Sequence, residues 1–430
     1  MKRPSSKIAP LVEAMKSERL SWNTHYLLTR IALKSCRITS VTDKTNVMKL
    51  DEFIALARED LPQVIAAYSG LPSARSEEAA RSRPDVMEIN SPGDLMAQLR
   101  LNPKTVISYV RALKPEEVSS RVEHDTSRSG PPSASYVQTE NEESIEISEV
   151  MATFSDEPDW GMDQNLFLEK SYAYGRAPFG MQTGLSSQAA FHMAFLHENP
   201  VLTYIFPDLR ISFMEQRVRL FSALAQLAQA KGAIYWAWRF AAWAAHYLQD
   251  LTQPYHARAL PFSFMTIIHR VLLNPLSKRS PVRNRNYIVN RHRIFESTIH
   301  YLINDAVKRG SVHRWISALE NDGECSEGPL QQVMKTSSKI AVDLAPAVNQ
   351  TLEALINDAE IDDPEYLVRE EDGYPVEEKL AEARAARPEL FQRLVELVGA
   401  CMAETGRVTR YVARTMEKGS LVSQAPTRKN

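Results

Sequence analysis

The chain predicts an all-α protein, a single multi-helix domain with a polar insertion. Three observations predict it. Only 15 of 430 residues are glycine, while 44% are hydrophobic, enough for a sizeable core. Apolar residues recur at helical spacing over most of the length. No internal repeat and no convincing alternating strand pattern interrupts them.

Residues 1–21 form a basic N-terminal extension without an apolar core of signal-peptide length. "THYLLTRIALKSC" and "LDEFIALAREDLPQVIAAYSG" predict the first two helices, and 104–113 a short one. Residues 71–145 are expected to be a weakly ordered insertion. Its stretch from Pro115 to about Ser144 is rich in Ser, Pro and Glu and buries little. Two long helices follow at roughly 211–230 and 233–250, then an apolar and basic insertion at 258–286. Further helices are expected at 286–307, 328–358 and 376–417, with residues 421–430 a disordered tail. The whole of 22–420 is expected to be one domain.

The most apolar run, "AIYWAWRFAAWAAHYL" (233–248), is too short to span a bilayer and carries Arg239 and His246. It reads as a buried helix. The protein is therefore expected to be cytoplasmic or exported by a non-classical route. A formal net charge of −2 argues against a generally basic nucleic-acid binder. Cys36, Cys325 and Cys401, odd in number and widely spaced, read as free thiols, leaving nitrogen and oxygen atoms as metal ligands.

"HYLQDLTQPYH" (246–256) concentrates two of the chain's ten histidines. On a helix His246 and Asp250 share one face, and Pro254 breaks the chain so that His256 turns back toward them. His292 and Glu296 repeat the four-residue spacing, with Glu296 bordering an apolar face and needing a cationic partner. His25 opens the first helix after Trp22. "SDEPDWGMD" supplies Asp156, Glu157, Asp159 and Asp163, and "SSQAAFHMAFLHE" supplies His192 and His197. Each of these alone also reads as a capping residue, a solvated acidic turn or a core histidine.

Their order, WxxTH, PD, HM, HYxxDxxxPxH and HxxxE, resembles the bacterial zinc-dependent phospholipase C family, which shares its fold with single-strand-specific zinc nucleases. The resemblance spans residues 22 to 296 and includes the helix pair at 219–257. It implies up to three zinc ions per chain. Asp159, His192, His246 and Asp250 would hold one; His256, His292 and Glu296 a second; His25, Asp250 and backbone groups of Trp22 a third. Imidazole and carboxylate suit zinc. Asp159 is the implied catalytic residue, with Asp156, Asp163 and His197 as alternative ligands.

The resemblance has departures. Gln249 stands where a small residue is usual, Thr252 at a more polar or acidic position, and Ala259 in place of asparagine. The implied activity is zinc-dependent hydrolysis of a phosphodiester, of phospholipase C type on a lipid head group. The alternatives are a nuclease of the same fold and a catalytically inactive binding or scaffold protein. Glu296 matches the lipases, where the nucleases commonly carry aspartate. Trp160 is a candidate substrate contact, its ring able to attract a quaternary ammonium or simply to pack. "LPFSFMTIIHRVLLNPL", with Lys278, Arg279, Arg283, Arg285, Arg291 and Arg293 after it, suits peripheral contact with an anionic membrane; nucleic acid is the weaker expectation.

Overall fold

The computed structural model describes residues 24–34, 36, 38–68, 88–102, 104–112, 136–164, 166, 188–205, 207–262, 280–308, 314–320, 325–357, 361 and 375–419. Helix dominates, in agreement with the predicted all-α class. The chain enters through α1 (Thr24–Lys34) and crosses strand β1 (Lys44–Asn46). The single helix expected over 50–70 is two, α2 (Leu50–Ala57) and α3 (Leu61–Tyr68). Pro62 explains the break: it fits the first turn of a new helix and not the interior of a continuous one.

The insertion expected at 71–145 is structured where it is described. It carries α4 (Pro92–Gln98), capped by the Ser91 hydroxyl accepting from the Asp94 amide. It also carries strands β2 (Val110–Ala112), β3 (Tyr136–Gln138) and β4 (Ser144–Glu146). The short helix expected at 104–113 does not form over 104–112, where a turn and irregular chain lead into β2; Val106, Ile107, Tyr109 and Val110 are β-branched or aromatic residues that disfavour it. The strands form two antiparallel pairs, β1 with β4 (Thr45 opposite Ile145) and β2 with β3 (Arg111 opposite Val137). Three-residue strands are too short to show an alternating pattern in sequence.

Next come α5 (Ile147–Phe154), a 3-10 turn at Glu157–Trp160, and the short helices α6 (Ala189–His192) and α7 (Pro200–Ile205). The central hairpin is α8 (Met214–Ala230) and α9 (Ile234–Asp250). Gly232, at φ 75°, closes α8: its N–H donates to Gln229 O and the Ala233 N–H to Ala228 O. That left-handed geometry strains any residue with a Cβ. Every residue of α9 from Tyr235 to Asp250 is buried, against α8, α5 and the last helix of the chain. Each large apolar side chain so buried contributes about 1.5–3 kcal/mol.

After α9 the chain turns into α10 (Pro254–Ala257), then α11 (Ser280–Lys308), α12 (Arg314–Glu320), α13 (Leu330–Leu355), α14 (Val376–Ala386) and α15 (Pro388–Glu417). Helix α11 begins within the segment expected to belong to the 258–286 insertion. Pro388, in the first turn of α15, divides the helix expected at 376–417. α15 packs on α1, α9, α12 and α13. Its crossing with α12 requires Gly406, where a Cβ would stand 2.3 Å from Leu319 O. Among the described residues, no helix is long and apolar enough to cross a membrane.

Candidate metal centre

The start of α1, the 3-10 turn, the C-terminal turn of α9, α10 and the middle of α11 meet at one place. The N-terminal side of that place is set by the 3-10 turn. Arg239 of α9 donates from Nε to Glu157 Oε2 at 2.8 Å and from its second nitrogen to Oε1, while Trp243 Nε1 donates to Oε2 at 2.7 Å. Arg239 is 0% and Glu157 1% exposed, so this fork carries the turn, and with it Asp159, onto α9. The Tyr26 amide and the Tyr136 hydroxyl both donate to Asp156, which ties the turn to α1 and β3.

Two residues of α9 and one of α6 form the first cluster. His246 Nδ1 donates to Ser155 O at 2.7 Å, leaving Nε2 to face inward. His192 Nε2 lies 3.5 Å from Asp163 Oδ2, which leaves Nδ1 inward. The two inward nitrogens are 3.0 Å apart, and Asp250 Oδ2 is 2.8 Å from His192 Nδ1 and 3.3 Å from His246 Nε2. Asp159 Oδ1 stands 3.7 Å from both rings.

The second cluster lies beyond the turn at Pro254. Gln253 accepts from the Tyr255 and His256 amides and so caps α10. His256 Nδ1 thereby returns to 3.0 Å from Asp250 Oδ1, and its Nε2 is 2.9 Å from His292 Nε2. Glu296 Oε1 is 2.8 Å from His292 Nε2 and 3.6 Å from His256 Nε2, so its partners are two imidazoles. His25 sits on the other flank, its Nε2 3.5 Å from Asp250 Oδ1 and 3.8 Å from Asp159 Oδ2. Asp250 is thus the carboxylate common to all three groups.

Among the described residues, three sets of ligand atoms lie close enough to hold a metal ion: His25, Asp159 and His246; His192, His246 and Asp250; His256, His292 and Glu296. The donor chemistry fits a borderline metal such as zinc. Pairs of inward imidazole nitrogens at 2.9 and 3.0 Å have at most one proton between them, and the carboxylates alongside supply negative charge.

Without metal, protons fill that role. Burial opposes the charge on His25, yet Asp250 and then Asp159 lift it to about 9. Burial likewise opposes His256, which Asp250 and Glu296 lift to about 9. Burial would raise Glu296, but His292 and His256 hold it down at about 2. Asp250 is held well below the usual range against its burial by His256 and His246.

The alternative ligands lie outside this inner set. Arg217 donates to Asp163 Oδ1 at 2.7 Å and the Tyr247 hydroxyl to Oδ2 at 2.5 Å, so Asp163 orients His192 from behind. Asp156 is occupied by the α1 amide and Tyr136. His197 reaches Lys335 O, at 2.8 Å, away from the cluster.

Trp160 is 7% exposed and meets Tyr136 and Phe154 edge to face, a core side chain and not an open aromatic platform. Arg291 is a second correction. It is 0% exposed and donates to Leu352 O and Ile356 O, so it leaves the basic surface cluster. Trp22 and 263–279, with Lys278 and Arg279, lie outside the described residues, as does the 421–430 tail.

Sequence inspection passed over the residues that orient the ligands. Arg217, Ser155 and the Glu157–Arg239 fork act across separations that no local pattern displays. Arg239 carried one signal, a cation in an otherwise apolar helix, which demands a buried partner. Comparisons of the chain with family models, with curated proteins and with solved structures each return no match.

Proposed function

We propose that the protein is a zinc-dependent phosphodiesterase that hydrolyses a phospholipid head group in a phospholipase C-type reaction. One observation carries this reading: five imidazoles and three carboxylates converge on one place, with Asp250 shared between neighbouring groups. His192, His246, Asp250 and Asp159 would hold one ion, His256, His292 and Glu296 a second, and His25 with Asp250 would contribute to a third. Bound zinc supplies positive charge for phosphate oxygens and makes a water acidic enough to attack phosphorus near neutral pH.

The residues divide the remaining work. Asp159 has the most exposed side chain of the inner carboxylates, at 26% against 4% for Asp250 and 18% for Glu296. It is the carboxylate best placed to accept a proton from water at the mouth. Ser155 O accepts from His246 Nδ1 and keeps that ring in one tautomer, while the Asp163 carboxylate stands 3.5 Å behind His192 Nε2.

The apolar surface beside the cluster supports lipid over nucleic acid. Leaving His192, the chain pairs the Ala194 N–H with His256 O at 3.0 Å, then exposes Leu196, Val201 and Tyr204 at 43%, 51% and 82%. These offer exposed apolar side chains on the segment that leaves the cluster. The test incubates zinc-loaded protein with phosphatidylcholine, with phosphatidylinositol and with single-stranded DNA. Release of a phosphorylated head group is expected. Cleavage of DNA alone would replace the substrate class, and zinc uptake without any turnover would leave a binding protein.

A further inference from the structure

Gln249 precedes the shared Asp250 and points to the flank occupied by His25. Its Oε1 lies 2.8 Å from His25 Nδ1. Its Nε2 donates to Thr29 Oγ1 at 2.7 Å and to Thr409 Oγ1 at 2.8 Å. Gln249 is 3% exposed and both threonines 0%, so water does not complete these bonds.

Following the protons shows which way round the amide must lie. The Thr29 hydroxyl donates to Ser155 Oγ at 3.1 Å, and Ser155 Oγ donates onward to Ala152 O at 2.8 Å. The Thr409 hydroxyl donates to Thr405 O at 2.7 Å, one turn back on α15. Both threonines have therefore spent their single proton and offer only lone pairs to Gln249. The amide must present its NH2 to them and its carbonyl to His25. A carbonyl accepts only, so His25 must carry hydrogen on Nδ1, which leaves Nε2, facing Asp250 and Asp159, as the nitrogen that would give up its proton to bind a metal.

We infer that Gln249 is a positioning residue that fixes the His25 tautomer and ring plane for metal binding, on instruction from α1 and α15. This rests on reading the cluster as a metal centre. It also gives the large amide a purpose at a position where the resembling family carries a small residue. Partners of this kind typically account for 10–100-fold in metal affinity.

The experiment titrates chelator-stripped protein with cobalt, comparing wild type, Gln249→Met and Thr409→Val. Metal equivalents are counted, and the exchangeable ring N–H of His25 is followed by proton NMR of the cobalt-loaded protein. Gln249→Met keeps the length of the side chain and removes its hydrogen bonds. Thr409→Val keeps shape, touches no proposed ligand and removes one acceptor, so any effect on metal passes through Gln249.

The expected result is that Gln249→Met weakens one metal equivalent by roughly 10–100-fold, leaves the others unchanged and loses the His25 N–H signal. Thr409→Val weakens the same equivalent by less. Wild-type binding of every equivalent by both variants, with the N–H signal intact, overturns the positioning role alone. A wild-type chain that takes up no metal overturns the metal centre itself and this inference with it.

Discussion

His192 is held between two carboxylates: its Nδ1 lies 2.8 Å from Asp250 Oδ2, and its Nε2 lies 3.5 Å from Asp163 Oδ2. The two acids are not equivalent. Asp250 faces the inward histidine nitrogens that would bind metal, whereas Asp163 is paired with Arg217. Asp250→Asn is expected to remove more than one metal equivalent, because one oxygen serves His192 and His246 and the other His25 and His256. Loss of an orienting partner alone costs 10–100-fold, so loss of this shared ligand should cost more than about 100-fold in affinity. Zinc stoichiometry by elemental analysis checks it; a full complement in the variant would remove Asp250 from the ligand set.

Asp163→Asn should behave differently. It leaves Arg217, 1% exposed, without its counter-charge, and breaking a buried pair from one side costs about 3–5 kcal/mol. The expected outcome is a lowered unfolding midpoint in urea even for metal-stripped protein. Asp159→Asn, at 26% exposure and no closer than 3.7 Å to its histidine neighbours, should lower that midpoint less while largely abolishing phosphodiester hydrolysis. The opposite pattern would exchange the roles of the two aspartates.

Part of the candidate metal cluster was legible in the sequence because helical spacing is local, while His25, Asp159 and His192 entered it only through the ordered resemblance. His246 with Asp250 and His292 with Glu296 are four apart, and Pro254 announces the turn that returns His256. What orients those ligands was not legible, since Arg217 meets Asp163 across 54 residues and Gln249 meets Thr409 across 160. Gln249 looked like a departure from a pattern for that reason. Trp160 read equally as a substrate contact or a packing residue, and the cover that Tyr136 from a distant strand gives its ring was not visible in the local sequence.

The buried fork of Glu157 and Arg239 offers a stability test separate from metal. Glu157→Gln or Arg239→Met should each destabilise the protein by about 3–5 kcal/mol, because each strands one charge in the core. Glu157→Gln combined with Arg239→Met should recover part of that loss, and the double-mutant cycle measures the coupling. Additive losses would mean that the two side chains do not act as a pair. Metal uptake by the double variant also tests whether the fork serves to place Asp159.

Acidity should affect the metal-stripped protein in a window set by its own groups. His25 and His256 have folded values near 9 against an ordinary 6.5, so folding favours their protonated forms. Their contribution is fully present below 6.5 and is lost as pH rises through about 9. Glu296 runs the other way: held at about 2 against an ordinary 4.5, it contributes above 4.5 and loses that contribution as pH falls toward 2. The combined contribution of these three groups should therefore be greatest between about pH 4.5 and 6.5. Zinc must displace the histidine protons, so its affinity should climb over the same interval in which stripped protein weakens. Unfolding midpoints of stripped and zinc-loaded protein should accordingly diverge as pH rises from 6.5 toward 9. Parallel curves for the two forms would show that these histidines exchange no protons for metal.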